Sequence, residues 1–358
     1  MKAFKTELSN SSMITRYAFM SMMADATSAA MLLGSISLHS SDDKLTLLII
    51  LFNIISAGGR VLFSALADNV KNKHTGIRMA VMILIMGFFF PTDISITTKV
   101  LLMAIGSSAF HAFASSSILS RSKFKATGIG LFTAGSVIGI GIAKYAAFFG
   151  YFTAAFLMMA ATPSDKGEGI EEAYLSREKK APKTLLAPIF VFFLLLSAAA
   201  FTFLNASLSF DWYHGRKVVF LTAVAAGVGR AVGGFIYDKA SVFLTTASLG
   251  GGALLLLFCS DSKMLSLVAI LFINMFVPTL ISLIFRFMPK FPAFSYSIVT
   301  CFSYLGYIFV KLLPSPEKLS VLIALICGLL LLISLASEIA LYINGRKVNK
   351  NFGGPLDE

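Results

Sequence analysis

Runs of about 20 apolar residues recur from one end of this chain to the other. Each is long enough to cross a hydrocarbon core roughly 30 Å thick. With 57% hydrophobic and only 13% charged residues, the chain carries far more apolar sequence than a soluble core of this size needs. The pattern therefore predicts an all-α membrane protein. The runs are Met13–Leu38, Lys44–Ala67, Ile77–Pro91, Lys99–Leu119, Ala126–Ala161, Leu185–Phe210, Val218–Tyr237, Val242–Cys259, Met264–Phe287, Phe291–Leu313 and Leu319–Ile343. As one helix Ala126–Ala161 would be roughly 54 Å long, so it is read as two helices with a tight turn at Lys144–Ala147, which makes twelve crossings.

The second helix ends in Gly59-Arg60 followed eight residues later by Asp68, and the eighth helix ends in Gly229-Arg230 followed eight residues later by Asp238. One offset of about half the chain relates both landmarks, which predicts two homologous halves. The polar stretch between them, with ten charged residues from Asp165 to Lys183, is a linker. The expected organisation is a six-helix bundle over 1–162, a linker over 163–184, a second six-helix bundle over 185–345 and a polar tail over 346–358.

Lys and Arg alternate in density from loop to loop. Lys71, Lys73, Arg78, Arg121, Lys123, Lys125, Lys239, Arg286, Lys290 and the linker lie on one side, with the basic residues of both termini. The other side carries fewer, among them Lys44, Lys99, Lys144 and Lys263. The positive-inside rule makes the basic side cytoplasmic, which places both termini and the linker there, in a bacterial inner membrane. It also accounts for the excess of positive charge without nucleic acid. The first apolar run, interrupted by Asp25, does not read as a cleaved signal peptide.

Twelve helices in two halves, a cytoplasmic linker and the loop Ser64-Ala65-Leu66-Ala67-Asp68-Asn69-Val70-Lys71-Asn72-Lys73 resemble the major facilitator superfamily, as does Gly234-Phe235-Ile236-Tyr237-Asp238-Lys239 in the second half. Ser64 and Asn69 depart from the superfamily's loop motif. The resemblance implies two pseudo-symmetric bundles that rock about a central site, and a cytoplasmic gate held by Asp68 and Asp238 through charges on neighbouring helices. A narrower stretch, Gly106-Ser107-Ser108-Ala109-Phe110-His111, looks like the fourth helix of fosmidomycin-resistance-type efflux transporters. Ala112-Phe113 stand where that branch has Pro-Glu, and the Gly-Pro of the antiporter motif is absent.

An ionisable residue at the centre of a spanning helix costs about 2.5–3.5 kcal/mol on insertion scales, so each one needs a reason. Asp25 shares a helix face with Ser21 and Ser28 and reads as a proton-coupling site or as a structural lock. His111, between Ser107 and Ser115, reads as a proton relay or as a satisfied buried imidazole. Arg60 and Arg230 hold equivalent positions in the two halves and suit a carboxylate, phosphate or phosphonate, which guanidinium grips bidentately. The alternative for them is a gating or helix-capping role. Tyr296, Thr300 and Tyr304 are read as one substrate-lining face of the eleventh helix, with an aromatic packing seam as the plainer reading.

The expected function is secondary active transport by alternating access, with proton-coupled export of a small organic anion or drug as the leading form. Uptake or exchange of a small anion without proton antiport, or lipid transport, are the alternatives. The sequence has no phosphate-binding Gly-rich loop for ATP and no metal-ligand cluster. It also has no nucleophile motif, so neither an enzyme nor a metal or other cofactor is expected. The expected partners are a small-molecule substrate, protons and the bilayer, with the protein acting as a monomer.

Overall fold

The computed structural model describes residues 2–37, 41–93, 95–122, 125–161, 187–208, 215–239, 242–259, 262–312 and 319–352. In chain order the helices are α1 (Lys2–Ala30, continued by a π-helical turn Met31–Ile36), α2 (Asp42–Asn69), α3 (Lys73–Phe89), α4 (Ile96–Arg121), α5 (Lys125–Tyr145) and α6 (Gly150–Ala161). They are followed by α7 (Ala187–Ser207), α8 (Arg216–Lys239), α9 (Val242–Cys259), α10 (Lys263–Phe287), α11 (Pro292–Leu312) and α12 (Leu319–Phe352). Eight of these, α2, α4, α5, α7, α8, α10, α11 and α12, are long and apolar enough to cross a membrane. Length and composition within the described residues thus account for eight of the twelve expected crossings. The expected linker, 163–184, lies outside the described residues.

Local chemistry sets several helix ends. Asn72 caps α3 by accepting from Thr75 N at 3.1 Å, and Ser95 caps α4 by accepting from Thr98 N at 3.1 Å, each satisfying an amide that has no partner inside its helix. Lys99, read from sequence as a loop charge, is instead buried. Its Nζ donates to the carbonyls of Phe88 and Phe90 at 2.7 and 2.9 Å, closing the C-terminal end of α3. Arg78 Nε donates to Ala161 O at 3.1 Å and does the same for α6. The division of the long fifth run falls at Ala146, within the expected turn. α10 breaks at Met275 because Pro278 has no N–H to give the carbonyl of Asn274. α12 runs on to Phe352, so much of the segment expected as an irregular tail is helical.

The helix neighbours repeat. In the first half α1 packs on α5 and α6, α4 on α2 and α3, and α3 on α6. In the second half α7 packs on α11 and α12, α10 on α8 and α9, and α9 on α12. Between halves the most extensive pairs among the described residues are α5 with α8 and α2 with α11, which the same two-fold relation exchanges, and α4 with α11 and α5 with α10 also meet. In the second half Arg286 Nη1 on α10 donates to Glu338 Oε1 on α12 at 2.7 Å and to the Tyr237 hydroxyl on α8 at 3.3 Å.

The α5–α8 pair is the most extensive in the molecule, and small residues make it so. A Cβ on Gly234 of α8 would fall onto the backbone of Ala126 and Thr127 on α5, and one on Gly130 of α5 onto the carbonyl of Arg230. Neither helix backbone has room to yield. Gly234→Leu is therefore expected to destabilise the folded protein by at least the ~1–3 kcal/mol typical of overpacking. The check is a lower thermal midpoint of the detergent-purified variant and a loss of its monodisperse peak in size-exclusion chromatography.

Candidate functional site

A cavity of about 450 Å³ lies between the halves. Residues from α1, α2, α5, α7, α8, α10 and α11 line it, among them Asp25, Arg60, Arg230, Tyr296 and Thr300. Five residues singled out from sequence, on four helices, thus meet at one place. The cavity runs from these charges toward the helix ends that carry Leu33, Ile140 and Lys144, all exposed. The opposite ends, carrying Asp68 and Asp238, are closed.

Asp25 is buried at 8% exposure on α1. Its Oδ1 accepts from His111 Nε2 at 3.1 Å and its Oδ2 from the Ser136 hydroxyl. His111 itself lies behind Asp25 and has no exposed surface. Among the described residues its Nδ1 has no partner, so the neutral ring that suits this site donates from Nε2. Phe110 and Phe132 pack edge-on to the imidazole, and Tyr296 stacks over it with ring centroids 6.4 Å apart. α1, α4, α5 and α11 therefore meet at one carboxylate.

The guanidiniums are held more loosely. Arg60 Nη2 is 3.5 Å from Ser56 Oγ, and its buried Nε has no hydrogen-bond partner among the described residues. Arg230 reaches Asn274 Oδ1 from Nε at 3.4 Å and Thr133 O from Nη1 at 3.3 Å. These are long contacts to neutral groups, well short of the 2.7–2.9 Å usual for a guanidinium on a carboxylate. Asn274, at the break in α10, is itself fixed by Asn205 Oδ1 at 3.2 Å and Ile270 O at 2.9 Å. Asp25 and Tyr296 lie within electrostatic reach of Arg60, and Tyr296 also within reach of Arg230.

Tyr304 does not join the site. Its ring stacks on Tyr307 with centroids 6.1 Å apart, away from the cavity lining. Eight residues along an α-helix turn through about 80° beyond two full rotations, so Tyr304 has drifted off the face of Tyr296. The lining face is Tyr296, Val299, Thr300 and Ser303. Sequence reasoning also missed Lys144, taken for a loop charge, and the neutral polar residues Ser56, Ser136, Asn205 and Asn274. A Ser or Asn inside an apolar run carries no cost large enough to flag it.

Asp68 and Asp238 reach across the interface between the halves. Asp68, ending α2, accepts from the backbone N–H groups of Ala293 and Phe294 at 2.7 and 3.1 Å, the first turn of α11, and from Ser116 Oγ at 3.2 Å. Asp238, ending α8, accepts from Ala126 N at 3.3 Å, Thr127 N at 2.6 Å and the Thr127 hydroxyl at 2.8 Å, the first turn of α5. Where the family resemblance implied charged partners, these contacts are carboxylates on helix N-termini, which gain from both the free amides and the helix dipole.

No protein-family model matches this chain, and no curated protein does. Solved structures do. The crystal structure of a variant of the E. coli fucose:proton symporter FucP superposes with a TM-score of 0.68 at 12% identity, over 91% of this chain and 98% of that one. This chain has that symporter's fold. The likeness is one of fold, and it agrees with the all-helical architecture expected from the helix order. It does not extend to the fosmidomycin-type efflux branch suggested by Gly106–His111.

Each interhalf carboxylate acts as a helix cap, and loss of such a cap costs ~0.5–2 kcal/mol. Asp68→Ala and Asp238→Ala are each expected to lower the thermal midpoint, and the double variant to lower it by nearly the sum, since the two caps share no partner. Differential scanning fluorimetry of the purified variants measures this.

Proposed function

We propose that this chain is a secondary active transporter that works by alternating access and carries a small organic anion together with protons. One observation carries the reading: among the described residues Asp25 is the sole carboxylate lining a cavity that also holds Arg60, Arg230 and Lys144. A site with that balance favours a negatively charged ligand, and the loosely held guanidiniums leave donors to receive it.

The same arrangement sets the sign of proton coupling. An ionised Asp25 competes with the substrate for Arg60 and repels an incoming anion. Protonation removes both effects, so proton and anion promote each other's binding, and by linkage the coupling is mutual. Mutual promotion suits symport, whereas antiport needs competition. This favours co-transport over the export expected from sequence, and the fold likeness to a protein named as a proton symporter points the same way. His111 and Ser136 hold the carboxylate in place, and the imidazole offers a second proton acceptor beside it.

In this reading the conformation is outward-facing. The cavity opens toward Lys144, and the basic cytoplasmic end is shut by the Asp68 cap on α11 and the Asp238 cap on α5. Inward opening pulls each carboxylate from its helix N-terminus. Breaking the caps then shifts the population toward the inward-open state.

Two measurements test this. Binding of small carboxylates and phosphonates to the purified protein, followed by ligand-induced thermal stabilisation, is expected to strengthen as pH falls, by about 5–150-fold for a coupling of 1–3 kcal/mol. In Asp25→Asn it is expected to be pH-independent and at the level of the protonated wild type, while pH-driven accumulation in liposomes is lost. Arg60→Gln and Arg230→Gln are each expected to weaken anion binding roughly 10- to 100-fold, the worth of a charge-assisted hydrogen bond. Stabilisation by cations or neutral solutes that survives both arginine changes would reject the anion reading.

A further inference from the structure

A second, smaller cavity of about 210 Å³ adjoins the first. The two share Val137, Ile140 and Lys144 on one face of α5. The remaining walls of the side cavity come from α7, α8 and α10 and include Leu208, Val219, Ala223, Ala226 and Ile270. Its two neutral polar side chains are already engaged inside the protein. Thr222 Oγ1 donates to Val219 O at 2.9 Å. Asn205 donates to Phe201 O at 3.2 Å and accepts from Asn274 at 3.2 Å. Eight of the eleven residues that line the space are apolar or glycine, so an occupant meets mostly apolar side chains there, with Lys144 at the shared rim.

The main cavity has a related polarity. Its charged groups, Asp25, Arg60, Arg230 and Lys144, share the lining with Leu32, Phe52, Ile140, Leu280 and Ile281. A fully hydrated inorganic anion would leave those walls against water. An organic anion whose head meets the guanidiniums and whose body covers the walls excludes water from the charges, which strengthens their interaction.

We infer that the side cavity is the subsite for the apolar body of the substrate, which makes the substrate an amphiphilic organic monoanion with a medium-length alkyl or aryl chain. This rests on the anion reading above and narrows it. The head lies between Arg60 and Arg230, and the chain turns past Ile140 into the space between α5 and α8. Lys144 sits where the two spaces meet and guides the head inward. A side cavity of about 210 Å³ shelters a chain of medium length, and methylenes beyond it gain no further burial, which separates a water-soluble organic anion from a lipid with full-length tails.

The test is a homologous series of straight-chain carboxylates and a matching series of phosphonates, from two carbons up to lipid-length tails. Both are titrated against the detergent-purified full chain below their micelle-forming concentrations. Affinity is expected to rise about fourfold per methylene, as for burial of a CH₂ group, and then to level off at medium length. Val219→Trp, which narrows the side cavity, is expected to bring the levelling to shorter chains while leaving the shortest acid unchanged. Ile140→Ala, which widens the passage, is expected to move it to longer ones. A flat dependence on chain length would overturn the subsite. So would a rise that continues to lipid-length tails, equal weakening of all chain lengths in Val219→Trp with no change in Ile140→Ala, or a chain-length gain that persists when Arg60 and Arg230 are both replaced by Gln. If no member of either series binds, or if the shortest acids bind equally well without the arginines, the anion reading itself fails and the subsite with it.

Discussion

A charge placed among apolar helices has to be compensated or it will not stay. In this molecule the compensation is uneven, and that unevenness gives the site its character. Asp25 is fully served by His111 and Ser136. Arg60 and Arg230 are not: their contacts are long, to neutral groups, and one buried donor of Arg60 has no acceptor among the described residues. A protein that held two guanidiniums for structural reasons alone would be expected to satisfy them better. Leaving them under-satisfied beside open space is the observation that supports the proposed anion site.

The two-fold repeat explains why these charges face one another. Arg60 and Asp68 on α2 recur as Arg230 and Asp238 on α8. Because α2 packs on α11 and α8 on α5, each helix contributes an arginine to the shared cavity and a carboxylate to the other half's helix N-terminus. One pair of helices thus carries both the ligand-facing charge and the interhalf latch. Gly130, Gly141, Gly227 and Gly234 bring α5 and α8 close together along their shared length.

Much of this was legible in the sequence because membranes penalise charge. Asp25, Arg60 and Arg230 stood out as ionisable residues within apolar runs, and all three line the cavity. What the sequence concealed follows from geometry. Spacing by eight on a helix looks like a repeated face yet carries a drift of about 80°, which removed Tyr304 and would have admitted Ser303. The Asp25–His111 pair joins residues far apart in the chain, and no local pattern announces it. Backbone amides are the main partners of Asp68 and Asp238, beside one hydroxyl each, and amides have no sequence signature. Lys99 and Lys144, both taken for loop charges, differ in fate: one seals a helix end in the interior, the other guards the cavity rim.

The central claim is that proton and anion bind together because they share Asp25 and Arg60. The most direct measurement is proton uptake when an anion that binds is added to the purified protein in weakly buffered solution. The account predicts that the medium turns more alkaline, by up to one proton per anion bound, and that Asp25→Asn binds the anion with no pH change. Release of protons on binding, or the same uptake in Asp25→Asn as in the wild type, would contradict it.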